Sequence, residues 1–300
     1  MAEIGREAAT EIDTAWLAAH PLPHHGEGTD KNNRGRVLVV GGSRRVPGGL
    51  LLTGEAAYRA GAGKVQLATV ESCAVGIGLA VPEAGVIGLG ETREGEIDAG
   101  SVERLIDPAA SCDVLVIGPA MVDPDRAAAL LDAMAKLLPQ AGCVVLDAAA
   151  IGAGRDRAER LRELGPRLVF TANDGELSAL LGRDPGAIEA DPEGAARDAA
   201  ERHGAVALLK RSDTLIAGPD GALLRYPGGG SGLATGGSGD VLAGIIAALI
   251  ARGLDPLVGS AWGVWLHGEA GRRLARDCGP IGFMARDLAP KIPALMRQAS

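Results

Sequence analysis

Short all-apolar runs alternate along this chain with longer stretches whose apolar residues recur at helical spacing. Val37, Leu38, Val39 and Val40 form an uninterrupted apolar run, the pattern of a strand covered on both faces. Gly41, Gly42 and Ser43 turn the chain. Residues 48–61 read as a helix with Leu50, Leu51, Ala57 and Ala60 facing inward, and 65–70 as the next strand, a βαβ unit. Further strands are predicted at 86–89, 114–117, 144–146, 168–170 and 206–209, with helices at 126–138, 175–181 and 194–203 between them. After Lys210 the pattern changes. Residues 214–217 and 222–226 flank Gly218-Pro219-Asp220-Gly221, a hairpin signal. A glycine-rich loop then leads into the apolar run 241–250, and a long helix starts from Asp255 with Pro256 in its first turn. A last helix is predicted at about 286–297. Such alternation predicts an α/β fold of three layers, helices on both faces of a central, mostly parallel sheet.

Residues 1–34 read as an N-terminal arm, in which 12–19 could form a short amphipathic helix before Pro21 and Pro23. His24 and His25 are adjacent, poor geometry for one metal, and are expected at the surface. Residues 35–300 show no internal repeat or low-complexity linker, so a single domain is expected there.

Composition narrows the function classes. The chain has 300 residues and a net charge of −8, with only short basic clusters at Arg44-Arg45, Lys210-Arg211 and Arg272-Arg273. No basic stripe for nucleic acid exists. Aromatics are 2 %, so the core must be aliphatic. Cys73, Cys112, Cys143 and Cys278 form no Cys-x-x-Cys pair, which argues against structural zinc. The polar N-terminus lacks an apolar leader segment, and no apolar run is long enough to span a bilayer. A cytoplasmic protein with no membrane or nucleic-acid partner is expected.

The centre of the chemistry is the stretch 233–244, LATGGSGDVLAG. Gly236, Gly237, Gly239 and Gly244 surround one acid, Asp240, ahead of an apolar helix. A glycine loop turning into a helix aims backbone N–H groups and the positive end of the helix dipole at one point, which suits a phosphate or a developing oxyanion. Asp240 in the first turn could take a proton from a hydroxyl placed there. The plainer reading is an acid favoured by the dipole. The glycine density from Gly228 to Gly239 exceeds what a structural turn needs and points to a ligand. Ligands of such sheets bind beyond the carboxyl ends of the strands. Gly41 to Ser43, Gly118-Pro119-Ala120, Asp147-Ala148, Thr171 to Asp174 and Lys210 are those ends, and with the glycine loop they would line one crevice. Lys210 ends a buried strand, where a cation needs an anion beside it; a phosphate or a structural carboxylate would serve. No Gly-x4-Gly-Lys-Ser/Thr loop and no complete Gly-x-Gly-x-x-Gly follows a strand. His267 reads as a hydrogen-bonded core histidine, and Trp262 and Trp265 as core or subunit-contact residues.

GGSGDVLAG resembles the signature of the ribokinase-like superfamily. Within it the chain resembles the ADP- or ATP-dependent NAD(P)H-hydrate dehydratases. The resemblance runs through RGRVLVVGGS (34–43), EAAYRAGAGKVQLATV (55–70), DVLVIGP (113–119), VVLD (144–147), LLKRSDTLIAGPDG (208–221) and VWLHGEAG (264–271). It implies a repair reaction: the C6 hydroxyl of hydrated NADH or NADPH is phosphorylated by ADP or ATP, and phosphate is lost to restore the cofactor. By the same resemblance Asp240 is the catalytic base. Gly236, Gly237, Ser238 and Gly239 hold the phosphoryl group, while Lys210, Arg211, Ser212, Asp213 and Thr214 contact the nucleotide. Gly49, Ala120, Asn173 and Asp240 face the hydrate. Mg2+ is expected on the phosphates, with no obvious protein ligand. An NAD(P)H-hydrate epimerase would be a separate partner protein, and a homo-oligomer is expected.

Four positions depart from the pattern of the family it resembles. Asn173 stands where the family carries histidine, Ala120 where it carries glycine, and Gly49 where it carries alanine; Arg211 replaces a further glycine. The phosphate side is nearly intact and the substrate side is altered at three positions. A small-molecule kinase of the superfamily, or a non-catalytic nucleotide-binding relative with a decayed pocket, are the alternatives.

Overall fold

The computed structural model describes residues 8–24, 26, 28 and 30–299. Ten strands form one sheet: β1 (Thr10–Glu11), β2 (Arg36–Val40), β3 (Lys64–Val70), β4 (Gly85–Leu89), β5 (Val114–Ile117), β6 (Cys143–Leu146), β7 (Leu168–Asn173), β8 (Val206–Lys210), β9 (Thr214–Ala217) and β10 (Leu223–Tyr226). Their order is β1-β10-β9-β8-β7-β6-β5-β2-β3-β4. From β8 to β4 every pairing is parallel, and β9 and β10 form the antiparallel hairpin expected around Gly218 to Gly221. The strand order reverses between β5 and β2, the point where open α/β sheets leave a crevice.

Thirteen helices occur among the described residues: α1 (Thr14–Ala19), α2 (Gly48–Arg59), α3 (Glu71–Ala80), α4 (Ile106–Ser111), α5 (Pro124–Ala133), α6 (Ala149–Ala153), α7 (Ala158–Arg162), α8 (Asp174–Leu181), α9 (Pro185–Ala190), α10 (Pro192–His203), α11 (Ser238–Ala251), α12 (Pro256–Cys278) and α13 (Ile292–Ala299). One core lies between the sheet and α2, α11 and α12; the other lies on the opposite face beneath α5, α6, α8 and α10. Helix α11 is hydrophobic all round because it is buried on all sides, with Val241 to Ile250 inaccessible. A side chain at Gly244 would strike the Thr53 carbonyl oxygen at 2.2 Å, so glycine lets α11 lie directly on α2.

Two predicted elements change and one unpredicted helix appears. The helix expected at 126–138 ends at Ala133, and Pro139 sits in a separate 3-10 turn. The last helix is preceded by two 3-10 turns around Ala285–Asp287 and Ala289–Lys291, since Pro290 and Pro293 cannot supply N–H groups there. Helix α3 was not expected; Gly76 and Gly78 interrupt it and leave no apolar stripe.

The arm is docked. Strand β1 pairs in parallel with β10, Asp13 caps α1 by accepting from the Trp16 N–H, and Ile12 and Leu17 are each 1 % exposed within the core. Trp262 donates its indole N–H to the His20 carbonyl. Trp262 and Trp265 are buried and pack edge to face. His24 is exposed; His25 and residues 1–7 lie outside the described residues.

Candidate active site

Helix α11 begins at Ser238, with Gly237 as N-cap at φ 89°, a left-handed conformation that favours glycine. The first backbone bond of the helix runs from Val241 N–H to the Gly237 carbonyl, and no side chain caps this terminus among the described residues. The Ser238 N–H donates to the Thr235 carbonyl at 3.2 Å, which leaves the N–H groups of Gly239 and Asp240 at the positive end of the dipole.

Asp240, in that first turn, is half-buried. Burial and the nearby carboxylate of Asp147 push its carboxyl up from 3.8 to about 7, against the pull of the Lys210 ammonium and a hydrogen bond from the Ala120 backbone N–H. Ala120 ends the β5 turn at φ 57°, and Ala148, which caps α6 after β6, sits at φ 48°. No other non-glycine described residue has a positive φ, and both line the same cavity. Strained backbone of this kind collects at ligand sites. Gly49, in the first turn of α2, completes the wall: a Cβ there would lie 2.5 Å from the Ala120 Cβ and 3.0 Å from Asp240 Oδ2.

Lys210 stands at the end of β8 with Nζ 3.5 Å from Asp147 Oδ1 and 3.7 Å from Glu176 Oε2. The anion it needs is thus supplied in part by protein carboxylates. Burial works against its charge, but Asp147 and Glu176 outweigh burial and hold the ammonium above its ordinary value. Asp147 is 3 % exposed and also accepts from the Thr171 hydroxyl at 2.5 Å. Burial raises the Glu176 carboxyl, with Lys210 opposing. The Lys210 Nζ lies 3.3 Å from where a Gly239 side chain would begin, so the cation faces the glycine loop as well.

Asn173 is the N-cap of α8. Its side-chain oxygen accepts the Glu176 N–H at 2.9 Å, and its own N–H donates to Glu176 Oε2 at 2.8 Å, a reciprocal capping box. Arg211 pairs with Asp174 at 3.5 Å.

A cavity of about 920 Å³ joins these groups. Ala120, Asn173, Lys210, Arg211, Ser212, Thr214, Gly237, Ser238, Gly239 and Asp240 all line it. Other expected positions do not, among them Gly118, Pro119, Thr171, Ala172 and Asp174 at the strand ends. Asp213 is held by Arg225 at 2.8 Å, across the β9–β10 hairpin. Gly236 is exposed and outside the lining. Gly41 to Ser43 are buried away from the cavity, with Gly42 against the Thr69 hydroxyl. Gly49 acts from behind the lining, through Ala120 and Asp240. His267 is hydrogen-bonded as expected, but its partner is Ser238 and it lines the cavity. Asp147 and Glu176 were left without a role by the sequence. Asp147 follows an all-apolar strand, and Glu176 stands three residues after a capping Asn; either pattern marks them.

A mostly parallel sheet with an uncapped helix N-terminus and the raised Asp240 carboxyl at its switch point defines a ribokinase-like fold. The fold matches that of a ribokinase-like superfamily protein of Enterococcus faecalis V583, with a TM-score of 0.81 at 24 % identity, over 97 % of this chain and 96 % of that one. The sequence profile of the NAD(P)H-hydrate dehydratase family matches residues 37–294, and the chain belongs to that family. It is 48 % identical over 288 residues to the ADP-dependent (S)-NAD(P)H-hydrate dehydratase of Xanthomonas campestris pv. campestris, covering 95 % of each chain. It is 38 % identical to the bifunctional NAD(P)H-hydrate repair enzyme Nnr of Moorella thermoacetica, over 95 % of this chain and 53 % of that protein. The ADP/ATP-dependent NAD(P)H-hydrate dehydratase of Bacillus subtilis, crystallised with ATP and Mg2+, superposes with a TM-score of 0.78 at 25 % identity, over 97 % and 99 % of the two chains. Among the described residues no helix is long and apolar enough to cross a membrane.

Proposed function

We propose that this protein restores NADH or NADPH from the hydrated cofactor, with ADP as the phosphoryl donor, as in its Xanthomonas relative. The observation that carries the reading is Asp240: a carboxyl titrating at about 7, set beside outward-facing N–H groups at the start of α11. A base poised near the working pH takes a proton efficiently. Asp240 removes the proton of the C6 hydroxyl, whose oxygen then attacks the terminal phosphorus. The bond between that phosphorus and the nucleotide's bridging oxygen breaks, and the nucleotide leaves. The N–H groups of Gly239 and Asp240 hold the charge that develops on the phosphoryl oxygens. Hydroxide leaves carbon poorly and phosphate leaves well. The C6–O pair departs with phosphate, a proton leaves the neighbouring ring carbon, and the double bond returns.

Lys210 serves the nucleotide side. Its ammonium faces both the carboxylates and the glycine loop, so phosphates arriving there meet a cation already held in place. Arg211, Ser212 and Thr214 line the same end of the cavity. Among the described residues no cluster of three or more His, Cys, Asp or Glu is arranged to hold a metal, and Asp147 and Glu176 are turned to Lys210. Mg2+, when bound, would be held by the phosphate oxygens of the nucleotide and would supply neutralisation of their charge. The Xanthomonas relative is named for one epimer, (S), so a separate epimerase that interconverts the two belongs to this reading, as does self-association. Residues 35–300 are taken as one catalytic unit carrying the docked arm.

The test mixes protein, ADP or ATP, Mg2+ and chemically hydrated NADH, and follows recovery of the absorbance of the reduced ring. Recovery with stoichiometric nucleotide consumption supports the reading. Binding of nucleotide without recovery overturns it.

A further inference from the structure

The cavity contains one buried pair that the reaction above leaves unused. Ser238 opens α11 and His267 lies on α12; both are almost fully buried and both line the cavity. The His267 Nε2 is 2.9 Å from the Ser238 hydroxyl oxygen and 3.0 Å from the Ser238 carbonyl oxygen. A carbonyl oxygen has no hydrogen to give. The second contact is a hydrogen bond only when Nε2 carries the ring hydrogen. The other tautomer would set two lone pairs against each other at 3.0 Å. Burial keeps the ring neutral, holding its pKa down to about 4, so it has one hydrogen, and that hydrogen sits on Nε2.

The consequence falls on the serine. With Nε2 as donor, its N–H is shared between the two oxygens of Ser238, and the hydroxyl cannot give its hydrogen to the ring. This is the reverse of a serine activated by a histidine base, where the hydroxyl donates to the ring. The Ser238 hydrogen is left for a group in the cavity, at the end of α11 where backbone N–H groups already face.

We propose that His267 is a positioning residue that holds the Ser238 hydroxyl as a donor to the transferred phosphoryl group. This rests on the phosphoryl-transfer reading above. Ser238 then adds a side-chain donor to the backbone N–H groups, and neither residue acts as a base or a nucleophile. Removing one such donor from an anion hole lowers the rate by roughly 10²-fold.

Two measurements test it. The first is the 15N NMR spectrum of the histidine rings of the unaltered protein, with His267 assigned by the loss of its signals in His267→Gln. A protonated Nε2 is expected at neutral pH; an unprotonated Nε2 overturns the proposal, whatever the activity. The second is kinetics of Ser238→Ala, Ser238→Thr, His267→Phe, His267→Gln and the Ser238→Ala/His267→Phe double variant at saturating nucleotide. Ser238→Ala and His267→Phe should each lower kcat by a similar factor of roughly 10²-fold, with KM for the hydrate unchanged. The double variant should be no slower than either single variant. Ser238→Thr keeps the hydroxyl and His267→Gln can keep a side-chain N–H donor, so both should stay within about tenfold of the unaltered protein, the worth of a single hydrogen bond. Losses that multiply in the double variant overturn the coupling, as does a normal kcat in His267→Phe. If His267→Phe does not fold, the Gln variant and the spectrum decide between the same outcomes. A protein that restores no NADH from hydrate defeats the reaction reading, and the spectrum still judges the tautomer by itself.

Discussion

Replacing Gly49 with alanine would put a methyl carbon 2.5 Å from the Ala120 Cβ and 3.0 Å from Asp240 Oδ2. The first distance is shorter than carbons tolerate, and Ala120 cannot step back easily because its backbone is already held at φ 57°. Overpacking of this sort costs about 1–3 kcal/mol. The displaced carboxylate should lower kcat about 100-fold, since a misplacement of about 1 Å has that effect in a catalytic site. Ala120→Gly acts oppositely. It relieves left-handed strain of about 1–2 kcal/mol, and the added freedom of the unfolded chain takes back about 0.5–1 kcal/mol. In the double variant the methyl moves only 2.5 Å, from Ala120 to residue 49, and the volume is conserved. Gly49→Ala then contributes its helix preference, up to about 0.8–1.0 kcal/mol. The pair should be as stable as the unaltered protein or more so, with a coupling of about 2–3 kcal/mol, the upper end for residues in contact. Both positions depart from the family pattern, in opposite directions, which is what a transferred methyl would leave. The assay is urea unfolding of the four proteins, with kcat measured on each. Additivity of the two changes within about 0.5 kcal/mol would refute the reasoning.

Asp240→Asn should lose roughly 10²–10⁴-fold in kcat while still binding nucleotide, measured by the hydrate assay and calorimetry. The unaltered enzyme's kcat/KM should fall as pH drops through about 7, where the base becomes protonated. Because the folded-state value is raised above 3.8, the stability linked to this proton is present below about pH 4 and lost as pH rises through about 7. Asp240→Asn should therefore unfold at higher urea than the unaltered protein at pH 8, by on the order of 2 kcal/mol, and at about the same urea at pH 4; a loss of stability at pH 8 would contradict the raised carboxyl. Lys210→Met should move the pH–rate midpoint above 7, because Lys210 holds Asp240 down, and should destabilise by about 3–5 kcal/mol through the unpaired Asp147; a midpoint that stays at 7 would disconnect the two groups. Asn173→His, which restores the family's residue, should lower stability by about 0.5–2 kcal/mol through loss of the α8 cap. It should also improve KM for the hydrate by no more than about tenfold; unchanged urea midpoints would mean the capping box contributes nothing.

The sheet was legible because β5 and β6 are apolar throughout and β2 and β8 carry a charge only at one end, Arg36 and Lys210, as befits strands covered on both faces. Helix α3 was not, since Gly76, Gly78 and its exposed Val75 and Leu79 leave no face for periodicity to find. At the site, glycine density marked Gly237 to Asp240, and a charge ending an apolar strand marked Lys210. What escaped depends on groups brought together from afar. Lys210 meets Asp147 across 63 residues, and Ser238 meets His267 across 29. Spacing along the chain says nothing about either meeting. Asp213 faces Arg225 across the predicted hairpin and lies outside the cavity lining, which spacing alone does not show.

The docked arm has a consequence for the order in which the molecule is made. Thr10 finds its strand partner at Leu224, and His20 finds Trp262. During synthesis the arm has nothing to pair with until the β9–β10 hairpin and α12 have been made. Ile12 and Leu17, each 1 % exposed in the folded protein, stay uncovered until then. The arm is thus fixed only after elements far along the chain exist. Closing it spans a long loop, a slow, non-local step of the kind that governs folding rates.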